Sequence, residues 1–171
     1  HFFNPPRQMR LVEVIPTLNT DSAVVKQVAG FLQEVLGKGV VVARDTPNFI
    51  ANRLGVFAIL SMLHIMERET LSVPLVDSLS GSLMGRPKSA TLRLCDIIGL
   101  DTLARVSKTA YDGLGDDPWR AVFALPRCIE RMLNVGLLGV KSGGGFYKKT
   151  DNGILTLNTS TLEYEERESP E

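Results

Sequence analysis

The chain has 171 residues, of which 44% are hydrophobic, and carries 19 basic and 19 acidic side chains. This length allows one or two compact domains. A net charge of zero argues against a protein that binds nucleic acid or an acidic membrane surface through a basic patch. No apolar run approaches the roughly 20 residues that cross a bilayer, and no signal peptide is visible.

The two cysteines, Cys95 and Cys128, are isolated in the sequence, and only two histidines are present. Isolated cysteines are typical of buried thiols in a reducing compartment rather than of a disulfide, so we predict a cytoplasmic protein. No Cys/His cluster has zinc-site spacing, and no metal is expected. The chain lacks an initiator methionine, and we expect it to be a fragment of a longer protein that can carry targeting signals upstream.

The first thirteen residues combine an imidazole with a carboxylate. After His1, the residues Pro5 and Pro6 forbid regular structure and predict a loop. Glu13 lies inside the strand predicted over residues 12–15, where a carboxylate needs a partner, and His1 is the candidate. A carboxylate that orients an imidazole and stabilises its charged form makes a general base. The alternative is a disordered terminus at His1 and an exposed edge residue at Glu13.

A strand–helix–strand unit is predicted next. Asp21 can cap a helix over residues 22–36, which Gly37 ends, and residues 40–43 form the second strand. Such a crossover is typical of doubly wound sheets, and its continuous Val/Ile character implies burial on both faces. Because two strands are not a stable sheet, we interpret residues 1–44 as the C-terminal end of a Rossmann domain whose main body and Gly-rich fingerprint are absent.

From residue 45 onwards the pattern is helical. Asp45-Thr46-Pro47 predicts the start of a helix that runs to about Arg68, and its apolar circumference indicates a central position. Asn52 lies in its first turns and is either a packed or capping amide or a ligand-binding group. His64, on the same helix, is predicted to be structural.

Shorter elements follow. Helices are predicted over residues 72–83, 89–98 and 101–111 and around Pro126, the last ending at Gly136. The glycines at 143–145 resemble a phosphate loop, but no strand precedes them and no helix follows, so we reject that function. Asn152-Gly153 between two apolar runs predicts a hairpin. The charged tail after Tyr164 is expected to fray.

Four segments resemble the L-3-hydroxyacyl-CoA dehydrogenase family. They are His1-Phe2-Phe3-Asn4-Pro5 with Leu11-Val12-Glu13-Val14, the segment Thr46–Arg53, the segment Gly85–Asp101, and the turn Lys141–Tyr147. The second has Asn48 where the family usually has Gly, and both residues tolerate positive φ. In the third, Ser89-Ala90-Thr91 replaces Gly-Pro-Phe, which affects the fit of the acyl chain rather than the fold. The resemblance is greater to the long dehydrogenase–hydratase fusion chains than to the short enzymes.

The resemblance implies a mainly α chain. A helical domain over residues 45–171, of the kind found at the C-terminus of 6-phosphogluconate dehydrogenase, would follow the strand–helix–strand remnant of residues 1–44. In this family the helical domain shapes the acyl-CoA cleft and forms much of a homodimer contact. The chain's own N-terminal Rossmann domain would be its other partner and would bind most of the NAD.

The implied activity is NAD-dependent oxidation of L-3-hydroxyacyl-CoA to 3-ketoacyl-CoA in fatty-acid β-oxidation. By the resemblance, His1 is the catalytic base, Glu13 its partner and Asn52 a substrate contact. Lys141 could meet CoA phosphates, but we interpret it as a surface charge. The fragment alone is expected to be inactive and not to bind NAD. The alternative is a helical dimerisation or interaction module without chemistry of its own.

Overall fold

The computed structural model describes residues 1–166. The chain forms two compact units, His1–Leu54 and Gly55–Glu171. The predicted domain boundary, between residues 44 and 45, is a different division of the chain and stays a prediction.

The first unit contains a parallel pair of strands joined by a helix. Its elements are β1 (Leu11–Val14), α1 (Ser22–Gly30), a π-helical turn (Phe31–Val35) and β2 (Gly39–Val42). The strands pair in parallel, with Val12 opposite Val40 and Glu13 opposite Val41. The predicted crossover is therefore confirmed. Burial differs between the two strands: Val12 is buried, whereas Val41 and Val42 of β2 are 41% and 57% exposed. Burial on both faces is expected of the complete sheet, and for β2 it stays a prediction.

The helical segment that starts with α1 begins and ends as predicted, but its last part is π-helical. The Asp21 carboxylate accepts a hydrogen bond from the Ala23 backbone N–H at 2.8 Å, which confirms the cap. After Gly30 the helix widens, and the Leu36 N–H donates to the Phe31 carbonyl at 3.3 Å, the i→i−5 spacing of a π-helix. Gly37, with φ of 63°, then ends the helical segment.

The long helix α2 spans Ala51–Arg68. The predicted start at Asp45-Thr46-Pro47 is wrong because Asn48 and Phe49 have φ of 64° and 48°, in the left-handed region, which no right-handed helix can include. Asn48 thus has the positive φ that both Asn and Gly tolerate.

The second unit is built around one apolar core. Its elements are α3 (Val73–Ser80), α4 (Leu92–Ile98), α5 (Leu100–Gly113), α6 (Arg127–Asn134) and 3₁₀ turns at Ser82–Met84, Arg120–Phe123 and Val140–Ser142. One side of α2 supplies Leu60 and Leu63 to the core, while Ile65 remains exposed. Phe57 and Met62, on either side of that face, are partly buried against the same core. The predicted packing on several sides is therefore confirmed, apart from the side that carries Ile65.

Helix α4 begins later than predicted because a carboxylate from another helix caps it. Asp77 of α3 accepts hydrogen bonds from the backbone N–H groups of Thr91, Leu92 and Arg93 at 2.6–3.1 Å. Ala90, just before them, has φ of 50°. The predicted helix over residues 89–98 therefore lacks its first turn.

The boundaries of α3 and α5 also differ from the prediction. The helix predicted over residues 72–83 ends at Ser80, and Gly81, with ψ of −124°, separates it from a 3₁₀ turn. Helix α5 begins at Leu100, so Asp101 lies in its first turn instead of at the cap.

A three-stranded antiparallel sheet closes the unit. Its strands are β3 (Tyr147–Thr150), β4 (Gly153–Leu157) and β5 (Tyr164–Glu166), in that spatial order. The predicted hairpin at Asn152-Gly153 is confirmed. The expected fraying after Tyr164 is wrong for Glu165 and Glu166, because they pair with Thr156 and Leu155 of β4. Residues 167–171, the rest of that tail, lie outside the described residues.

Asp96 joins α4 to this sheet. Its buried carboxylate accepts hydrogen bonds from the Phe146 and Tyr147 backbone N–H groups, both at 2.8 Å. Burial raises the pKa of Asp96 to about 6, and the two N–H donors partly oppose that rise. A Cβ atom at Gly145 would overlap Asp96 Oδ1, so this contact needs the absence of a side chain there.

Candidate active site

The imidazole of His1 and the carboxylate of Glu13 are hydrogen-bonded in the first unit. His1 Nδ1 lies 2.9 Å from Glu13 Oε2. Because an ionised carboxylate only accepts, Nδ1 carries the proton in this pair, and Nε2 keeps its lone pair. The Glu13 side chain is 1% exposed and that of His1 27%, so the charge is buried and the base is reachable. The alternative of an exposed edge residue at Glu13 is wrong.

The backbone brings this pair into register. The residues that follow His1 run antiparallel to β1, with a bridge between Phe2 and Val12. The Glu13 N–H donates to the His1 carbonyl at 3.1 Å, and the His1 amino nitrogen donates to the Glu13 carbonyl at 2.8 Å. Side chains of directly opposed residues point to the same side of such a pair, so the imidazole faces the carboxylate.

Glu13 also caps the start of α2. Its second oxygen, Oε1, accepts hydrogen bonds from the backbone N–H groups of Ile50 at 3.1 Å and Ala51 at 2.8 Å. The N-terminal end of a helix carries partial positive charge and stabilises a carboxylate. Burying a charge is costly unless it is paired and hydrogen-bonded, and these three partners meet that need.

The double role of Glu13 was not predicted from the sequence. A signal for it exists: Phe49 and Ile50, directly before Ala51, offer no Ser, Thr, Asp or Asn side chain to cap α2. A long helix that lacks a local cap needs an acceptor from elsewhere.

Asn52 lies in the first turn of α2, directly after the Ala51 amide that Glu13 holds. Its side chain is half-buried. The capping interaction thus attaches the segment that carries Asn52 to the carboxylate that holds His1. The role of Asn52 as a substrate contact stays a prediction.

Two aromatic rings flank the imidazole, and neither was predicted. The Phe3 ring meets His1 edge-on at a centroid distance of 4.5 Å, and the Phe49 ring is tilted at 5.4 Å. Packing of this kind limits rotation of the imidazole about its side-chain bonds. The left-handed backbone of Phe49 therefore sits directly beside the candidate base.

Other candidate groups have structural partners. His64 Nε2 lies 3.1 Å and 3.0 Å from the carbonyls of Val122 and Ala124, so it donates to this turn, which confirms its structural role. Lys141 forms an ion pair with Asp101, and this hydrogen bond holds the pKa of Asp101 below its usual range. Lys141 is therefore partnered within the chain.

Cys95 and Cys128 are buried and free, and burial raises the pKa of both thiols. Within residues 1–166, no three His, Cys, Asp or Glu side chains are grouped as metal ligands. In the same part of the chain, no helix combines the length and apolar character needed to cross a membrane.

Comparison with known families identifies the chain. Residues 49–149 match the C-terminal domain of 3-hydroxyacyl-CoA dehydrogenase, and residues 1–46 match the NAD binding domain of the same protein. The chain belongs to the 3-hydroxyacyl-CoA dehydrogenase family. The resemblance carried by the four motifs is thus confirmed, and the match to the NAD binding domain indicates NAD as the cofactor of this oxidoreductase family.

Curated relatives are similar over most of this chain. A probable 3-hydroxyacyl-CoA dehydrogenase of Bacillus subtilis is 47% identical over 167 residues, which are 98% of this chain and 21% of the relative. A probable 3-hydroxyacyl-CoA dehydrogenase of Deinococcus radiodurans is 49% identical, over 88% of this chain and 42% of the relative. A putative fatty acid oxidation complex trifunctional enzyme of Rickettsia prowazekii is 33% identical, over 96% and 24%. The chain therefore spans less than half the length of these relatives.

Solved structures show the same relationship. The crystal structure of FadB2 from M. tuberculosis has a TM-score of 0.79 and 36% identity, over 88% of this chain and 51% of that one. The (S)-3-hydroxybutyryl-CoA dehydrogenase PaaH1 from Ralstonia eutropha has a TM-score of 0.78 and 29% identity, over the same shares. The described fold is thus that of about half of these dehydrogenase chains.

The residues of this chain fit the nicotinamide end of NAD, where hydride is transferred, but not its diphosphate. Removal of hydride from an alcohol requires loss of the hydroxyl proton, and the Nε2 lone pair of His1 can accept it. The diphosphate of a dinucleotide instead needs a Gly-x-Gly-x-x-Gly loop at a helix N-terminus, and the 171 residues contain no such motif. The chain therefore offers a proton acceptor at His1 and no Gly-rich motif for the phosphates.

Proposed function

We propose that the whole protein is an NAD-dependent L-3-hydroxyacyl-CoA dehydrogenase, which oxidises 3-hydroxyacyl-CoA to 3-ketoacyl-CoA in fatty-acid β-oxidation. The observation that carries this proposal is the 2.9 Å hydrogen bond between His1 Nδ1 and the buried Glu13 carboxylate. The family match supplies the class of substrate. The Rickettsia relative, named for fatty acid oxidation and trifunctional, supports β-oxidation and a fusion chain with a hydratase.

His1 takes the proton in this mechanism. Its Nε2 accepts the proton of the substrate 3-hydroxyl, because Nδ1 is already committed to Glu13. NAD, when bound, supplies the chemistry of hydride acceptance from C3. Glu13 stabilises the imidazolium that forms, and its other oxygen accepts hydrogen bonds from the N–H groups of Ile50 and Ala51. Asn52, next to that cap, positions the substrate oxygens.

The proposed architecture has a helical domain over residues 45–171 of the type found at the C-terminus of 6-phosphogluconate dehydrogenase. Residues 1–44 complete a Rossmann domain contributed by upstream sequence. An open apolar cavity of about 660 Å³ lies beside β1 and α1, and Val14, Val28 and Phe31 line it together with the catalytic pair. The cavity supports the proposal that further strands and helices of a Rossmann domain pack against residues 1–44. Exposed apolar faces of this kind mark contact surfaces.

A homodimer and a cytoplasmic location are also proposed. The second unit exposes several large apolar side chains of α3, α4 and the turn between them, which suits contact with a second copy: Leu79, Leu83, Met84, Ile97 and Ile98. The two buried free thiols suit a reducing compartment.

The test is an assay of the full-length protein with acetoacetyl-CoA and NADH, the reverse reaction. We expect NADH to be consumed by the wild type and hardly at all by His1→Gln. His64→Gln is the control, because His64 only holds a turn. A wild type that binds NADH but leaves acetoacetyl-CoA unreduced would reject the proposed substrate. A wild type that dimerises but binds neither NADH nor acetoacetyl-CoA would favour the alternative of a helical interaction module. That alternative gives no reason for a buried Glu13 that is hydrogen-bonded to an imidazole.

A further inference from the structure

Lys38 holds the loop that joins the candidate base to its strand. The Lys38 ammonium donates hydrogen bonds to the carbonyls of Pro6 at 2.6 Å and Met9 at 2.7 Å. Lys38 follows the π-helical turn and directly precedes β2. A single side chain from another part of the first unit therefore bridges two points of the loop between His1 and Glu13.

The composition of the loop explains why it needs an outside donor. Pro5 and Pro6 have no backbone N–H, so the loop has more carbonyl acceptors than donors. The N–H groups of Gln8 and Met9 both donate to the Pro5 carbonyl, at 3.1 Å and 3.0 Å. An ammonium has three donors and no acceptor, which matches the remaining need of the loop.

The backbone at Lys38 is itself fixed. Its N–H donates to the Leu32 carbonyl at 2.9 Å, and the next residue, Gly39, donates to the Arg10 carbonyl at 2.8 Å. Gly39 is also opposite Leu11 in the parallel strand pair. The ammonium thus extends from a rigid point at the edge of the sheet, and the loop is held at Pro6, Met9 and Arg10.

We propose that Lys38 is a positioning residue for the catalytic base. It fixes the loop so that the imidazole of His1 stays within hydrogen-bond distance of Glu13; the inference rests on the proposed function. The loop is the covalent connection between the two members of the pair, and its attachment to Lys38 supports the backbone hydrogen bonds that keep His1 opposite Glu13. A displacement of about 1 Å in a catalytic group can cost roughly 100-fold in rate.

The test compares three variants of the full-length protein. Lys38→Met removes the ammonium and keeps the length of the side chain, Lys38→Arg restores donors, and Lys26→Met removes an exposed lysine of α1 as the matched control. For Lys38→Met we expect kcat to fall by about 10-fold or more, with KM for NADH and acetoacetyl-CoA changed by less than about twofold, because binding groups are untouched. Lys38→Arg recovers most of kcat, and Lys26→Met equals the wild type.

A second readout does not depend on turnover. In ¹⁵N-histidine-labelled protein, with the His1 signals assigned by their loss in His1→Gln, the wild type should show the Nδ1–H tautomer, and Lys38→Met a mixture of tautomers. A wild-type kcat in Lys38→Met would overturn the proposal, and so would a fall in kcat matched by an equal loss of folded protein. If the wild type has no activity, the proposed reaction fails; unchanged His1 signals in Lys38→Met then reject the role of Lys38, and altered signals support it.

Discussion

The carboxylate of Glu13 accepts a hydrogen bond from the Ala51 backbone N–H at 2.8 Å through one oxygen, while its other oxygen lies 2.9 Å from His1 Nδ1. One buried charge therefore serves both as the partner of an imidazole and as the cap of an 18-residue helix. The two roles make different demands on the side chain, and substitutions can separate them.

Glu13→Gln in the full-length protein should preserve the cap and destroy the base. The amide oxygen can still accept from Ile50 and Ala51, but the amide NH₂ then faces His1 and donates to Nδ1, which forces the proton onto Nε2. We expect kcat to fall by roughly 10²–10⁴ while the midpoint of thermal unfolding changes little. Steady-state kinetics and calorimetry measure the two quantities.

Glu13→Ala is the matched comparison for that variant. It removes the cap as well, and a lost cap costs about 1–2 kcal/mol in the free energy of unfolding. If Glu13→Gln were as unstable as Glu13→Ala, the amide would not be replacing the cap. If Glu13→Gln kept the wild-type kcat, Glu13 would not be the partner of the base.

The two histidines should respond in opposite ways to the same substitution. His1→Gln removes the base and should lower kcat by roughly 10²–10⁴, with no large change in stability because His1 is partly exposed. His64→Gln weakens the hydrogen bonds to the Val122 and Ala124 carbonyls and should cost about 1 kcal/mol of stability with kcat retained. Kinetics and denaturant unfolding of both variants check this; a His64→Gln enzyme that is stable but inactive would contradict it.

Asp96 should make the stability of the chain depend on pH. Its pKa is about 6 in the folded chain against an ordinary value of 3.8, so the folded state binds the proton more tightly. The resulting stabilisation is fully present below pH 3.8 and is lost as the pH rises through about 6. As the pH rises from about 4 to about 7.5, we expect the contribution of Asp96 to the free energy of unfolding to fall by an amount on the order of 1–3 kcal/mol.

The measurement is urea unfolding of wild type and Asp96→Asn at both pH values. Asn cannot ionise, so the difference in stability between the two proteins should change with pH, whatever its absolute size. The carboxylate has two N–H donors, from Phe146 and Tyr147, and Asn can satisfy only one of them as an acceptor. Parallel pH dependences for the two proteins would show that Asp96 does not titrate in this range.

Gly145→Ala should be strongly destabilising. The new methyl group would overlap the Asp96 carboxylate and also approach the Gly139 backbone, which cannot yield as a flexible side chain would. We expect a loss of about 2–4 kcal/mol in the free energy of unfolding. Gly115→Ala, where the added methyl group has open space, is the control and should be nearly neutral. Equal stabilities for the two variants would contradict the packing described at Asp96.

Local signals allowed much of this fold to be predicted. The Asp21 cap, the Asn152-Gly153 turn and the positive φ of Asn48 each depend on residues that are adjacent in sequence, and each is confirmed. Two of the failures share a physical cause, since the starts of α2 and α4 are capped by the carboxylates of Glu13 and Asp77, each on another element.

In the candidate site, too, contacts between residues of one short segment could be predicted, and contacts from distant residues could not. The pairing of His1 with Glu13 could be predicted from residue types and from the family motif, because the motif places both in one short segment. The flanking ring of Phe49 and the ammonium of Lys38 reach the segment from later parts of the chain. Such contacts depend on tertiary structure and leave no periodic signal in the sequence.

The Ala51 amide has a practical use that follows from the cap. Its hydrogen is bound to a buried carboxylate, so it can exchange with solvent only when Glu13 releases it. The exchange rate of this one backbone hydrogen therefore reports how often Glu13 lets go of the start of α2. Hydrogen exchange at a position without a reactive side chain would thus follow the motion of the carboxylate that also holds His1, in the resting protein and without substrate.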